Sequence, residues 1–503
     1  MQLNKSILGS ISSEHIRLPQ ATIWSLPEKV LQFGTGVLLR GLPDFFIDKA
    51  NNLNKFNGRI VVVKSTDKGD ADLFSSQDNL YTICIRGIEQ NNQVEENIVN
   101  ASISRVLNAK TEWNTILDCA SSTDLQIIVS NTTEAGIVPD MEMISDEKAP
   151  RTFPAKLLAF LFKRFEVFQG SRASGLIIIP TELISDNGKK LKEILLELAK
   201  YNRLNPKFVE WLNLDNKFCS SLVDRIVPGY PSLEQIHQIE DKLGYHDKLM
   251  LMAEPFCLWA IEGDDSVREK LSFASVDTGV IITPDITRFK ELKLRLLNGT
   301  HSLLCGLAHA SGFALVRESM NDDGFLNFAN RLVMNEIVPS IPYDIDSSQK
   351  IEFASKVFDR FRNPTIDHKW LSISVQYTAK IKMRVVPLLL KFVELYKIIP
   401  PYMTAGLAGF IHFMRPIKKE NGKYFGSSNG IEYEISDDQA EYFYQAWSSG
   451  LSRAKVIQNI LSNVELWGVD LSQITGLQQS VLHLLENISQ YPNRDLLNSL
   501  LEK

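Results

Sequence analysis

Apolar and polar positions along the 503-residue chain follow two regimes. Up to residue 284, short unbroken apolar runs sit between polar, turn-rich stretches. Lys29–Phe33, Arg59–Lys64, Leu125–Val129 and Gly175–Pro180 are of this kind, and such runs predict strands buried on both faces of a parallel sheet. Tyr81–Arg86 and Val94–Val106 predict further strands around a turn over 87–92, and Phe153–Phe168 predicts an amphipathic helix. From residue 285 onward the helical period dominates. It predicts helices over 323–338, 349–361, 371–396, 437–449 and 453–467, with one hairpin around Gly426-Ser-Ser-Asn-Gly430. The chain is therefore α/β in class: a domain with a mostly parallel sheet over 1–284, then a predominantly α-helical domain over 285–503.

Composition narrows the function classes. Hydrophobic content of 44% and charged content of 23% suit a globular protein with sizeable cores. A net charge of −6 argues against a nucleic-acid surface. The five cysteines are scattered, with no C-x-x-C pair, as expected of reduced cytoplasmic thiols. The N-terminus, Met1–Ser13, carries no apolar core of signal-peptide length. The most apolar stretch, Val385–Met414, is broken by Lys391, Glu394, Lys397, Pro400 and Pro401, so no membrane span is expected.

Candidate chemistry concentrates in one helical run, Pro284–Gly312. On an α-helix Asn298 lies about 140° from Lys293, with His301 between them at about 80°. An amine, a carboxamide and an imidazole thus share one side, crowded by Leu294, Leu297 and Leu304. Desolvation there lowers a lysine pKa and makes it a usable proton donor. A metal is the other reading, since His301, Cys305 and His309 form a stripe four residues apart. In the first domain, the strand Lys29–Phe33 runs into Gly34-Thr35-Gly36, where a backbone can approach a diphosphate. The third glycine of a dinucleotide fingerprint is missing, since Leu39 holds its place, and Pro43 delays a regular helix to about Leu42. The next strand ends in Lys64-Ser65, with Asp67 late for a ribose contact, which leaves NAD or NADP open. Asn131 and Thr132, followed by Thr133 and Glu134, end another strand, where open α/β sheets bind ligands.

Lys293-x4-Asn298-x2-His301 resembles the signature of the polyol-specific long-chain dehydrogenase/reductase family, which includes the mannitol dehydrogenases. Gly34-x-Gly36 followed by Arg40 matches that family's abbreviated glycine motif. Further matches are Asn187-Gly188, Val223-Asp224-Arg225, Arg360-Phe-Arg-Asn-Pro364 and Lys380. The resemblance implies a Rossmann-like first domain, NAD as cofactor and a small sugar-acid or polyol substrate. Ser65, Asn131, Thr132 and Asp224 then join Gly34, Gly36 and Arg40 on the cofactor side. Lys293 becomes the proton donor, Asn298 and Asn187 stabilise the substrate oxygen, and His301 orients substrate or lysine, with no metal required. Pro180-Thr-Glu-Leu183 and Ser372 depart from the mannitol-type pattern and are similar to the tagaturonate-reducing branch (altronate oxidoreductases). That branch implies a substrate carboxylate, for which Lys380, Arg360 and Arg384 are the candidate cations. Fructuronate reduction, mannitol oxidation and a non-catalytic dinucleotide-binding sensor remain the rivals.

Overall fold

A computed structural model describes residues 1–12, 14–65, 71–132 and 136–490. Its centre of organisation is a six-stranded sheet, β1 (Glu28–Phe33), β2 (Arg59–Lys64), β5 (Ile103–Asn108), β6 (Ile127–Ser130), β7 (Ile177–Pro180) and β8 (Lys217–Phe218), in the order β5-β2-β1-β6-β7-β8. Every pairing in it is parallel. The apolar runs are explained by period-two alternation. Val30, Ile60, Val62, Ile127 and Ile177 enter one core, while Leu31, Val61, Val63, Ile128 and Ile178 enter the other. The helix Phe153–Val167 covers the second face with Leu157, Leu158 and Leu161, and the helix Pro43–Asn52 covers the first with Phe45, Phe46 and Ile47. Each such side chain contributes about 1.5–3 kcal/mol by leaving water, so a charge at Val62 or Ile178 would break the layer. The sheet, 1–86 and 93–286 form one compact unit.

One expected element of this unit differs from the sequence reading. The run Val94–Val106 is two strands, β4 (Asn92–Asn100) and β5, in different sheets. Asn100 separates them: its buried Oδ1 accepts from the Ser102 amide (3.0 Å) and hydroxyl (2.7 Å), a turn concealed within an apolar run. The parallel sheet also continues past Pro180, because β8 pairs with β7. Smaller sheets complete this unit: β3 (Tyr81–Glu89) lies between β4 and β10 (Leu251–Ala253), and β11 (Leu258–Glu262) lies between β9 (Ser221–Asp224) and β12 (Val280–Thr283).

The other unit holds 87–92, where β3 ends and β4 begins, and 287–503; from 287 on its described residues are mainly helical, with a small antiparallel sheet of β13 (Lys418–Glu420), β14 (Lys423–Ser428) and β15 (Ile431–Glu434). Three stretches among the described residues are π-helix: Lys293–Gly299, Leu332–Ile337 and Ile381–Val385. The last two stand just before Pro339 and Pro387. Proline has no amide hydrogen and clashes with the carbonyl four residues back, so the ladder widens ahead of it. The helix expected over 371–396 is correspondingly broken into Trp370–Ile373, Tyr377–Lys380, the π-helix and Val386–Tyr396. Its break at Gln376, with φ of 53°, is capped from far along the chain, since Asp437 Oδ2 accepts from the Thr378 amide at 2.7 Å. Among the described residues no helix is long and apolar enough to cross a membrane.

Candidate active site

The parallel sheet reverses its winding between β1 and β6, and such a switch point opens a crevice at the strands' carboxyl ends. Gly34 and Asn131 stand at those two ends and nearly touch: a Cβ on Gly34 would lie 3.0 Å from the Asn131 carbonyl oxygen. Gly34 also has φ of 126°, which only glycine adopts readily. Gly36 differs, since a Cβ there would meet no protein atom within 4 Å. The turn is pinned from one side. Gln32 Nε2 donates to the Gly34 carbonyl at 3.3 Å, and Arg40 Nε donates to the Thr35 carbonyl at 3.3 Å. In a trans peptide the N–H points opposite to the C=O. The Thr35 and Gly36 amides therefore face away from Gln32 and Arg40, an arrangement suited to an anion.

Arg40 is expected at the cofactor. Its guanidinium turns inward, donating to Leu249 O at 2.6 Å and lying over the rings of Tyr81 and Phe74. Burial lowers its pKa, against the pull of Tyr81 and Asp44. Arg40 thus braces the turn, and a short helix, Val37–Gly41, precedes the kink at Leu42, earlier than the delayed start expected from Pro43. The strand ends are stitched together by a residue that the sequence reading passed over. Glu182, buried just past β7, accepts from the Thr132 amide (2.9 Å), the Thr132 hydroxyl (3.1 Å) and the Ser130 hydroxyl (3.2 Å). Burial raises its pKa, and the Thr132 amide opposes the shift. Asn131 Nδ2 reaches Thr181 O at 3.1 Å and Thr181 Oγ1 at 3.0 Å. Ser65 lies partly exposed at the end of β2. Asp67, Thr133 and Glu134 fall outside the described residues. Asp224 is buried at the end of β9, away from the six-stranded sheet.

Asn187 is expected at the substrate oxygen. Its amide donates to Glu182 O and Ser221 O, both at 3.0 Å, and accepts from Gly188 N and Ser221 N, both at 2.9 Å. A carboxamide has two donors and two acceptor pairs. All are engaged, so Asn187 fastens the start of the helix Asn187–Tyr201 to β9.

In the helical unit, Lys293 and Asn298 lie in the first π-helix and His301 just beyond it. The expected wheel angle assumed an α-helix. In an i→i+5 ladder the residue five positions on comes round over the first, so Lys-x4-Asn fits the π spacing. The helix continues as Thr300–Ala310, pressed against Pro401–Phe413 through facing glycines; a Cβ on Gly306 would lie 2.3 Å from Gly409 O. Pro387 leaves the carbonyl of Met383, four residues back, without its usual amide. Arg295 supplies the bond: Nη1 donates to Met383 O at 2.7 Å and Arg384 O at 2.9 Å, while Nε pairs with Glu291 at 2.9 Å. One arginine thus ties the π-helix of Lys293 to the π-helix of Arg384.

His301 is 8% exposed, stacked on Phe361 at 4.2 Å and edge-on to His368 at 5.2 Å and Trp370 at 5.9 Å. Its Nε2 is buried with no hydrogen-bond partner among the described residues. Burial holds its pKa well below the ordinary value, and His368, Arg360, Arg384 and Lys380 add to the effect, so the ring is neutral. The Asn298 carboxamide has no protein hydrogen-bond partner among the described residues, although the main-chain carbonyl of Asn298 accepts from Ser302 Oγ at 2.9 Å. Arg384 donates to Ser302 Oγ at 3.1 Å, and burial lowers its pKa to about 10. Lys380 donates to Ile373 O at 2.8 Å, and burial, then Arg384, lowers its pKa. Among the described residues neither cation forms an ion pair. Arg360 is buried nearby. The metal stripe disperses: Cys305 Sγ bonds Trp370 O at 3.3 Å, and His309 packs on Tyr433 at 4.3 Å. No group of three or more potential metal ligands exists among the described residues.

The mannitol dehydrogenase Rossmann-domain model matches residues 28–275, and the mannitol dehydrogenase C-terminal-domain model matches 285–489. An altronate oxidoreductase from Halalkalibacterium halodurans is 37% identical over 485 residues, which cover 95% of this chain and 94% of that protein. Substrate-free D-sorbitol dehydrogenase superposes with a TM-score of 0.77 at 19% identity, over 99% of this chain and 100% of that one. Pseudomonas fluorescens mannitol 2-dehydrogenase, in a ternary complex with NAD and D-mannitol, gives 0.68 at 22% identity over 100% of both chains. The two structures bear on the fold alone. Matched along both halves, and sharing more than a third of its residues with a relative of nearly its own length, the chain belongs to the mannitol dehydrogenase family.

Proposed function

We propose that this chain is an NAD-dependent oxidoreductase interconverting D-altronate and D-tagaturonate. The observation that carries the reading is the buried, neutral His301, on the helical run that also bears Lys293 and Asn298, with Lys380 and Arg384 acting on it and making no ion pair among the described residues. A neutral polyol has no use for such cations, whereas a hexonate carboxylate would pair with them. Relatives carrying the altronate oxidoreductase name support this choice.

The turn Gly34–Gly36 fits a dinucleotide diphosphate, since its amides face outward and Gly36 is open. NAD, held at that turn, would supply or accept the hydride at the carbon bearing the oxygen. In the reducing direction Lys293 gives a proton from Nζ to that oxygen as negative charge grows on it. Asn298 donates an amide N–H to the same oxygen. His301, kept neutral by its surroundings, offers Nε2 as a hydrogen-bonding group and orients the substrate. Lys380 and Arg384, with Arg360, hold the carboxylate. Arg40, Glu182 and Asn187 shape these surfaces from behind.

The test is the loss of NADH absorbance with purified protein and tagaturonate, fructuronate or fructose in turn. Tagaturonate should be preferred by at least about tenfold in kcat/KM over fructose, because a neutral ligand leaves a desolvated cation unpaired. Comparable values for the two would overturn the uronate reading, and a preference for fructuronate would move the assignment to that epimer.

A further inference from the structure

Behind the turn Gly34–Gly36 lies a buried polar cluster that the proposed reaction does not use. Gln32, Asp44 and Tyr81 are each 0% exposed. Gln32 Nε2 donates to the Gly34 carbonyl at 3.3 Å and to Asp44 Oδ2 at 3.4 Å. The Tyr81 hydroxyl lies 3.1 Å from the Arg40 carbonyl and 3.4 Å from Asp44 Oδ2. The Gln32 amide cannot be turned round, because the Gly34 carbonyl only accepts. Gln32 Oε1 and Asp44 Oδ1 are consequently buried with no hydrogen-bond partner among the described residues. If Asp44 is ionised, both are acceptors, and neither can satisfy the other. A proton on Asp44 Oδ1 removes the conflict. Amide and acid then form a two-bond pair, Nε2–H to Oδ2 and Oδ1–H to Oε1.

We propose that Asp44 is a positioning residue that works as the neutral acid: its proton locks Gln32, Gln32 holds the Gly34 carbonyl inward, and the turn amides are thereby presented to the dinucleotide diphosphate. This rests on the reading of Gly34–Gly36 as the diphosphate site. Loss of the proton removes the Oδ1–H bond, leaves Gln32 Oε1 and Asp44 Oδ1 as two buried acceptors without a donor, and puts a negative charge behind an anion site. The groups facing Asp44 are Arg40, from the preceding helical turn, Asp48, one turn further along its own helix, and Tyr81, from β3; Asp247 acts in turn on Arg40. Burial pushes the Asp44 carboxyl up to about 7, Asp48 adds to this, and Gln32, Arg40 and Tyr81 pull against it.

The experiment is the dissociation constant of NADH, read by fluorescence on the full chain from pH 6 to 8.5. Linkage allows a weakening of at most about tenfold per pH unit above the midpoint, and at least about threefold overall is expected. Asp44→Asn keeps a neutral side chain with donors toward Gln32, so its affinity should be high and flat with pH. Tyr81→Phe removes a hydrogen bond to the carboxylate, so the midpoint should move to higher pH. A flat wild-type profile overturns the proposal. So does an unchanged slope in Asp44→Asn, which would assign the titration to another group such as Asp48. Should Asp44→Asn fail to fold, a Tyr81→Phe midpoint that stays in place or moves down is equally fatal. Absence of NADH binding at every pH would instead sink the dinucleotide reading itself.

Discussion

Asn187 and Asn298 were expected to do the same thing. In the sheet-bearing unit, Asn187 uses both donors and both acceptor pairs on its surroundings. In the helical unit, the Asn298 carboxamide makes no protein hydrogen bond among the described residues. The two stand for their surroundings. Arg40, Glu182 and Asn131 likewise point their polar atoms into the fold, whereas among the described residues His301 Nε2 has no hydrogen-bond partner and Lys380 and Arg384 form no ion pair. The first group spends its polar atoms on the fold. In the second, a group without a protein partner keeps its hydrogen-bonding capacity, which a ligand can engage.

The contrast breaks most visibly at Lys293. Lys293→Ala should lower turnover by about 10²–10⁴-fold or more, with NADH affinity nearly intact. More than about a tenth of wild-type turnover remaining would remove the lysine from proton transfer. The two carboxamides come next. Asn298→Ala should lower kcat by about 10²–10³-fold with little change in melting temperature. Asn187→Ala should do the reverse, destabilising by about 1–3 kcal/mol through unpaired buried groups, with kcat per folded molecule far less affected. Equal kinetic losses in both would erase the distinction. Lys380→Ala should raise KM for the hexonate about tenfold or more and leave poor polyol turnover unchanged; a pure kcat effect would place the carboxylate elsewhere.

A smaller effect separates structural imidazoles from the site. Burial lowers His309 to about 4, and burial with Arg415 lowers His412 to about 4. Both are neutral when folded and titrate at about 6.5 when unfolded. The unfolded chain therefore binds more protons between those values. The stability these residues contribute is fully present above pH 6.5 and is lost as pH falls toward 4. Melting curves at pH 7 and 4.5 should show this loss, and His309→Phe should reduce it. The smallest expected effect is none: chelation followed by desalting should leave activity unchanged, and activity restored by zinc would revive the stripe of His301, Cys305 and His309.

Much of the fold was legible because its cause is local. Four apolar runs became β1, β2, β6 and β7 within one or two residues, since burial on both faces demands unbroken apolar sequence. The breaks were harder to read. Asn100 hid a turn inside an apparent strand, and the break at Gln376 depends on Asp437, sixty-one positions away in sequence from that residue. The site divided in the same way. Lys293, Asn298, His301 and Lys380 are candidates that spacing and resemblance put forward. Glu182, Arg295 and Asp44 are not among them, although Glu182 had a weak signal in its place just past a parallel strand.

The sequence by itself determined the alternation that makes a parallel sheet, the glycine turn at its edge, the prolines that end regular helix, and membership of the family. Tertiary structure alone decided which polar atoms are used. A carboxamide has the same four hydrogen-bonding positions wherever it occurs, and only its neighbours in space determine whether they are filled. Arg295 is the plainest case. Pro387 orphans the Met383 carbonyl by a local rule, yet the arginine that fills it comes from a helix about ninety residues earlier, brought there by packing.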